Sequence, residues 1–158
     1  MSLDLVLHPL GGDDRTIGEQ LTMFHLVMVV LDPYTYESSW LLETSARILS
    51  GFAGADCRTA WLLTCSEADA PTFLGSMADE FITFCDPDRT VVKGLGLVEL
   101  PAFVHIAQDG TIAGRADGWD PATWRPIAEN LAEMMSWSRP EIPRTGDPVP
   151  YPGTPALT

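Results

Sequence analysis

Six consecutive apolar residues, Leu26-Val27-Met28-Val29-Val30-Leu31, constrain this chain more than any other stretch. A strand with one wet face alternates apolar and polar side chains. One with no polar position is covered on both faces, as inside a parallel or mixed sheet with helices on either side. Even extended back to Phe24, the run is far short of the ~18–20 residues of a membrane span. Asp32-Pro33 closes it, and Glu37 to Ser50 then carries Trp40, Leu41, Thr44, Ile48 and Leu49 at helical spacing. A strand followed by an amphipathic helix is the opening unit of an α/β domain.

The rest of the body continues the alternation. Leu3 to Leu7 is a short apolar run ended by Pro9 and Gly11-Gly12-Asp13-Asp14. Thr59 to Cys65 reads as a second buried strand, Pro71 to Phe81 as a helix and Ile82 to Cys85 as a brief strand. Asp86-Pro87 has the form of an N-cap with proline at the first helical position, and Gly94 or Gly96 would end that helix. Ala102–Ala107 and Thr111–Ala116 flank Asp109-Gly110, the best hairpin signal in the chain. Asp120-Pro121 repeats the capping device and starts a last amphipathic helix running through Trp137. The sum is a mixed α/β sheet flanked by helices.

A length of 158 residues fits one domain, and 46% hydrophobic against 20% charged residues excludes wholesale disorder. Composition shifts near the end: six of the thirteen prolines follow Arg139. Residues 1–138 are therefore read as a single domain and 139–158 as a Pro-rich, extended or disordered tail. Twenty-two acidic residues face nine basic ones, a formal charge of −13, and Lys93 is the one lysine. With no basic cluster to neutralise phosphates, nucleic acid is excluded as a partner, and an anionic membrane surface would repel the chain. Met1-Ser2-Leu3-Asp4 is acidic where a secretory leader is basic, so the expected compartment is the cytoplasm.

The element order resembles the thioredoxin fold, and local sequences sharpen the likeness. Leu97-Val98-Glu99-Leu100-Pro101-Ala102-Phe103-Val104-His105-Ile106 is similar to the family segment around its cis-proline, which would be Pro101. Asp86-Pro87-Asp88-Arg89 and the helix after it resemble the alkyl hydroperoxide reductase and thiol-specific antioxidant branch. That branch also inserts a helix and a short strand where Cys65 to Asp86 lie. The resemblance spans roughly Thr16 to Met135, about one domain.

It also implies where thiol chemistry should be. Members place Cys-x-x-Cys at the start of the first long helix, whose N-terminus stabilises a thiolate. Here Asp32-Pro33-Tyr34-Thr35-Tyr36-Glu37-Ser38 has Thr35 and Ser38 at the two cysteine positions, and Val29 where a buried aspartate is common. The peroxidatic Pro-x-x-x-Thr-x-x-Cys pattern fails as well, since Glu37 and Trp40 fall in its last two roles. A hydroxyl forms no disulfide, so two-cysteine exchange at that place is chemically impossible. The resemblance brings the helix start, the loop before Pro101 and the turn after the hairpin into one groove. It would be lined by Tyr34, Thr35, Tyr36, Ser38, Leu100, Pro101, Gly118 and Trp119. Such a groove offers the backbone before the proline to an extended protein segment or a small thiol peptide. Tyr34, Tyr36 and Trp119 would form an exposed patch. As simple packing residues, the tyrosines would instead be half-buried, with Thr35 or Ser38 capping the helix.

Three cysteines at wide spacing do not read as a disulfide framework. Cys65 and Cys85 would both end parallel strands on the functional edge of the sheet, where they are either small buried hydrophobes or a relocated redox pair. Cys57, beside Arg58, lies in a polar loop. His8, His25 and His105 are scattered, no pair has zinc-site spacing, and no metal or cofactor is expected. The leading expectation is a redox-degenerate thioredoxin-like protein whose groove binds a protein segment or low-molecular-weight thiol, with a homodimer as a further partner. The alternatives are a thiol oxidoreductase or peroxidase-like enzyme using Cys65 and Cys85, or a site where Thr35 or Ser38 activates a bound small thiol.

Overall fold

The computed structural model describes residues 1–157. The apolar run becomes β3 (His25–Leu31), the central strand of a five-stranded sheet. Two short strands, β1 (Val6–Leu7) and β2 (Arg15–Thr16), precede it, with α1 (Ile17–Gln20) between β2 and β3. After β3 come α2 (Tyr36–Trp40), α3 (Leu42–Ser50), β4 (Cys57–Leu63), α4 (Asp69–Leu74), β5 (Ile82–Cys85) and α5 (Thr90–Gly94). The second half holds β6 (Glu99–Leu100), β7 (Ala102–Ile106), β8 (Ile112–Asp117), α6 (Pro121–Met134) and β9 (Thr154–Pro155). The sheet order is β5-β4-β3-β7-β8, with β3, β4 and β5 parallel and β7 and β8 each antiparallel to its predecessor.

The uniform hydrophobicity of β3 has the expected cause. Val27, Val29 and Leu31 join Leu41, Ile48, Phe52, Trp61 and Trp124 on one face, under α3 and α6. Leu26, Met28 and Val30 join Leu7, Ile17, Phe84, Val91 and Leu95 on the other, under α1 and α5. The alternation of side chains along a strand thus sends each neighbour into a different apolar layer.

Several boundaries move. The Leu3–Leu7 run forms strand only at Val6–Leu7, and the single helix expected over Glu37–Ser50 is two, broken at Leu41 (φ −97°, ψ 0°). The Pro71–Phe81 helix is α4 followed by a 3₁₀ turn over Gly75–Asp79. Asp86-Pro87 does not open a helix: α5 begins at Thr90, after a turn in which the Arg89 N–H donates to the Asp86 carbonyl. The Asp86 carboxylate still caps α5, accepting from the amides of Val91 and Val92 at 3.2 and 2.9 Å. Asp120 behaves as its sequence implies, accepting from the Ala122 amide at 3.0 Å with Pro121 at the helix start.

The largest difference is at the end of the chain. Residues 140–157 form no helix, and of the two expectations for this segment, extended or disordered, disorder is corrected. Pro140 packs on Gly51, Ile142 and Ala156 are buried, and Thr154–Pro155 pairs antiparallel with Glu99–Leu100. Proline removes backbone donors, yet side-chain donors on the domain, Arg47, Trp119 and Arg89, reach the carbonyls of Glu141, Pro148 and Ala156.

Candidate binding groove

The site begins where β3 leaves the sheet. The Asp32 N–H donates to Ser38 Oγ at 2.9 Å, Thr35 Oγ1 donates to the Asp32 carbonyl at 2.9 Å, and the Tyr34 N–H donates to Asp32 Oδ1 at 3.1 Å. Both hydroxyls that stand where the resemblance places cysteines therefore help wind this turn onto α2. Ser38 is fully buried and lines no surface, and neither hydroxyl makes a side-chain cap to α2. The expectation that one of them caps the helix is corrected, because each bonds the Asp32 backbone instead. Asp32 Oδ2 is held by Arg89 Nη2 at 2.8 Å.

Arg89 is a residue the sequence reading missed. It sits at φ 59°, a left-handed conformation that costs a side chain about 1–3 kcal/mol. From there its guanidinium bridges Asp32 and the Ala156 carbonyl, the latter at 2.6 Å from Nη1. The Asp86–Arg89 turn thus ties the start of α2 to the end of the chain. Its sequence signal was Asp86-Pro87-Asp88, read as a helix start.

On the opposite wall, the Leu100–Pro101 peptide bond is cis and both residues are buried. The backbone of Leu100 does not face solvent: β9 pairs with it, Leu100 opposite Thr154 and Glu99 opposite Pro155. The Gly153 N–H donates to Glu99 Oε2 at 3.0 Å and the Ala156 N–H to the Val98 carbonyl at 2.9 Å. Gly118, at φ 71°, lies where a Cβ would come within 3.3 Å of the Gly153 nitrogen. Trp119 and Tyr151 exchange backbone hydrogen bonds in both directions, at 3.0 and 2.9 Å.

Trp119 is therefore not part of an exposed patch. Its side chain is fully buried, its indole N–H donates to the Pro148 carbonyl at 2.8 Å, and its ring meets Trp124 edge-on at 5.0 Å. The exposed aromatics beside the groove are Tyr34, Tyr36 and Trp40, at 65%, 78% and 58%. Tyr34 Oη donates to the Asp69 carboxylate, a bond that raises the tyrosine's pKa. Trp40 packs edge-on against Tyr151, whose hydroxyl donates to the Glu37 carbonyl. Of the residues assigned to the groove, Tyr34, Thr35 and Tyr36 form one rim, and Leu100 and Gly118 lie beneath the chain's own terminal segment, with Pro101 buried next to Leu100.

Cys65 and Cys85 are both free and buried, and their thiols interact. The two thiols titrate as a pair, each acting on the other so that the pKa of Cys85 is lowered and that of Cys65 raised, the latter also by burial. Asp69 and Asp32 disfavour charge on Cys65 further. Cys57 is remote, donates to the Phe52 carbonyl at 3.7 Å, and is pushed up to about 11 by burial. Among the described residues there is no group of three or more side chains suited to a metal, and no helix long and apolar enough to cross a membrane.

This sheet, with its helices on both faces and its cis-proline loop, is a thioredoxin-like α/β fold. No protein-family model and no curated protein matches the sequence. Solved structures do match in fold. DsbF of Mycobacterium tuberculosis, in mixed oxidised and reduced forms, aligns over 84% of this chain and 96% of its own with a TM-score of 0.67 and 14% identity. Peroxiredoxin Q of Xanthomonas campestris aligns over 85% and 91%, at 0.65 and 15%. A hypothetical protein from Sinorhizobium meliloti aligns over 99% of this chain and 94% of its own, at 0.66 and 16%.

Proposed function

We propose that this chain is a redox-degenerate thioredoxin-like protein whose groove beside Pro101 binds an extended protein segment instead of exchanging disulfides. One observation carries the reading: the strand edge at Glu99–Leu100 is already paired, antiparallel, with an extended segment, residues 154–155. Strand addition draws affinity from main-chain hydrogen bonds and selectivity from side-chain pockets, and it needs no thiol. The commitment of Thr35 and Ser38 to the Asp32 turn supports the loss of exchange chemistry at the helix start. A protein segment suits this groove better than a small thiol, because what pairs with Glu99 and Leu100 here is extended backbone.

A second reading rests on Cys65 and Cys85, whose interacting thiols could exchange with an external disulfide once exposed. Two assays on the full-length protein separate the readings. Amide shifts at Val98, Glu99 and Leu100 during titration with extended peptides support the groove. Reduction of a protein disulfide above the uncatalysed rate, abolished by Cys85→Ala, would replace it with the dithiol enzyme.

A further inference from the structure

The segment that fills the groove is held in two separable parts. The first is a clamp on α3: Arg47 Nη2 donates to Asp147 Oδ2 at 2.7 Å, Arg47 Nη1 to the Glu141 carbonyl at 2.6 Å, and Thr44 Oγ1 to Asp147 Oδ1 at 3.1 Å. Ile142 is buried beside it. The second is an arm, residues 148–156, that crosses the groove. Pro148, Pro150, Pro152 and Pro155 have no N–H to give, so the arm is held through the amides of Tyr151, Gly153 and Ala156 and through side chains. The bonds it makes lie off the main sheet, at Trp119, Glu99, Leu100, Val98, Arg89 and Glu37.

Side chains along the arm alternate in use. Tyr151 wedges against Trp40, and Ala156 is fully buried in the layer that holds Leu100. Gly153 sits so close to Leu100 that a Cβ would lie 2.2 Å from its carbonyl oxygen. Pro152 and Pro155 face solvent. The groove therefore selects an aromatic residue, a glycine two positions later and a small apolar residue three beyond that, with prolines tolerated on the outer side.

We infer that residues 151–156 are a tethered copy of the groove's ligand, an autoinhibitory arm that a partner segment of pattern Tyr-x-Gly-x-x-Ala displaces. The inference rests on the groove being a segment-binding site, and it adds the partner's chemistry and the competitor. A short tether supplies the arm at an effective concentration on the order of millimolar, so a free segment binds measurably only when it is much tighter or when the arm is weakened. The clamp at Arg47 and Asp147 keeps the chain in place while the arm exchanges.

The test uses the full-length protein and two readouts. In wild type, hydrogen exchange at the Tyr151, Gly153 and Ala156 amides should run about 100-fold or more faster than at Met28 and Val104, as expected of a locally opening unit. Equal protection would overturn the arm as a displaceable element. In Gly153→Val, whose side chain cannot pass Leu100, a labelled peptide with the sequence of residues 147–157 should bind at least about tenfold more tightly than to wild type. Ala156→Asp, which would force a carboxylate into the apolar layer, should do the same if Gly153→Val does not fold. An arm shown by exchange to be open in either folded variant, with no peptide bound at millimolar concentration, would overturn the segment-binding reading itself. Equal peptide affinity in wild type and an open variant would leave that reading standing and overturn the autoinhibition.

Discussion

Lowering the pH should destabilise this protein through one buried histidine. His105 on β7 is fully buried; its Nε2 shares a 2.9 Å hydrogen bond with His25 Nδ1, and its Nδ1 has no partner. Burial, and then the neighbouring His25, lower its pKa from 6.5 to about 4. Between those values the unfolded chain binds a proton that the folded chain does not, so stability rises with pH. The contribution is complete above pH 6.5 and falls as the pH drops toward 4. At 1.36 kcal/mol per pH unit, the 2.5-unit gap amounts to roughly 3 kcal/mol. Urea unfolding of wild type and His105→Gln at pH 7.5 and 4.5 isolates this quantity, because the carboxylates titrate in both proteins. Wild type should lose about 2–3 kcal/mol more than the variant over that span. Parallel losses would refute the claim that His105 is kept neutral by burial.

Three further outcomes follow from particular contacts. Asp86→Ala strips the acceptors from the Val91 and Val92 amides and should cost about 1–3 kcal/mol in thermal or urea unfolding, with faster hydrogen exchange confined to α5. Gly114→Ala places a Cβ 2.8 Å from Ile127 Cγ2 and should cost about 1–3 kcal/mol in unfolding experiments, and much less than that when the same substitution is made in an Ile127→Ala background. Alkylation at pH 8 should label the folded protein slowly and the urea-unfolded protein at three sites, since Cys65 and Cys85 are buried and Cys57 is held near 11; a fast native thiol would contradict this.

The fold was legible because its strongest signals are local. The Leu26–Leu31 run, the Asp109-Gly110 turn and the Asp120-Pro121 cap each specify an element through side chains that act where they stand. The helix start was legible in a negative sense: Thr35 and Ser38 exclude a disulfide whatever surrounds them. Their actual task, holding the Asp32 turn, depends on backbone geometry that spacing does not express. Boundaries failed where tertiary contacts outweigh propensity, as at Leu41, which breaks an otherwise continuous helical pattern. The terminal segment was misjudged for a physical reason. Proline content reports missing donors, and it is silent on the carbonyls of Pro148 and Ala156, which Trp119 and Arg89 claim from 29 and 67 residues away. Trp119 was misplaced with it, since the same segment covers that ring.

The most direct test of the account is where a bound segment sits. Isotope-filtered NOEs between labelled Gly153→Val protein and unlabelled peptide of residues 147–157 report that position. Contacts are expected from Leu100 to the peptide threonine and from Val98 to its alanine, in the register that Thr154 and Ala156 occupy in the native chain. Contacts confined to Tyr34, Tyr36 and Trp40, with Leu100 still paired to the protein's own Thr154, would contradict it and move the binding surface to the exposed aromatic rim.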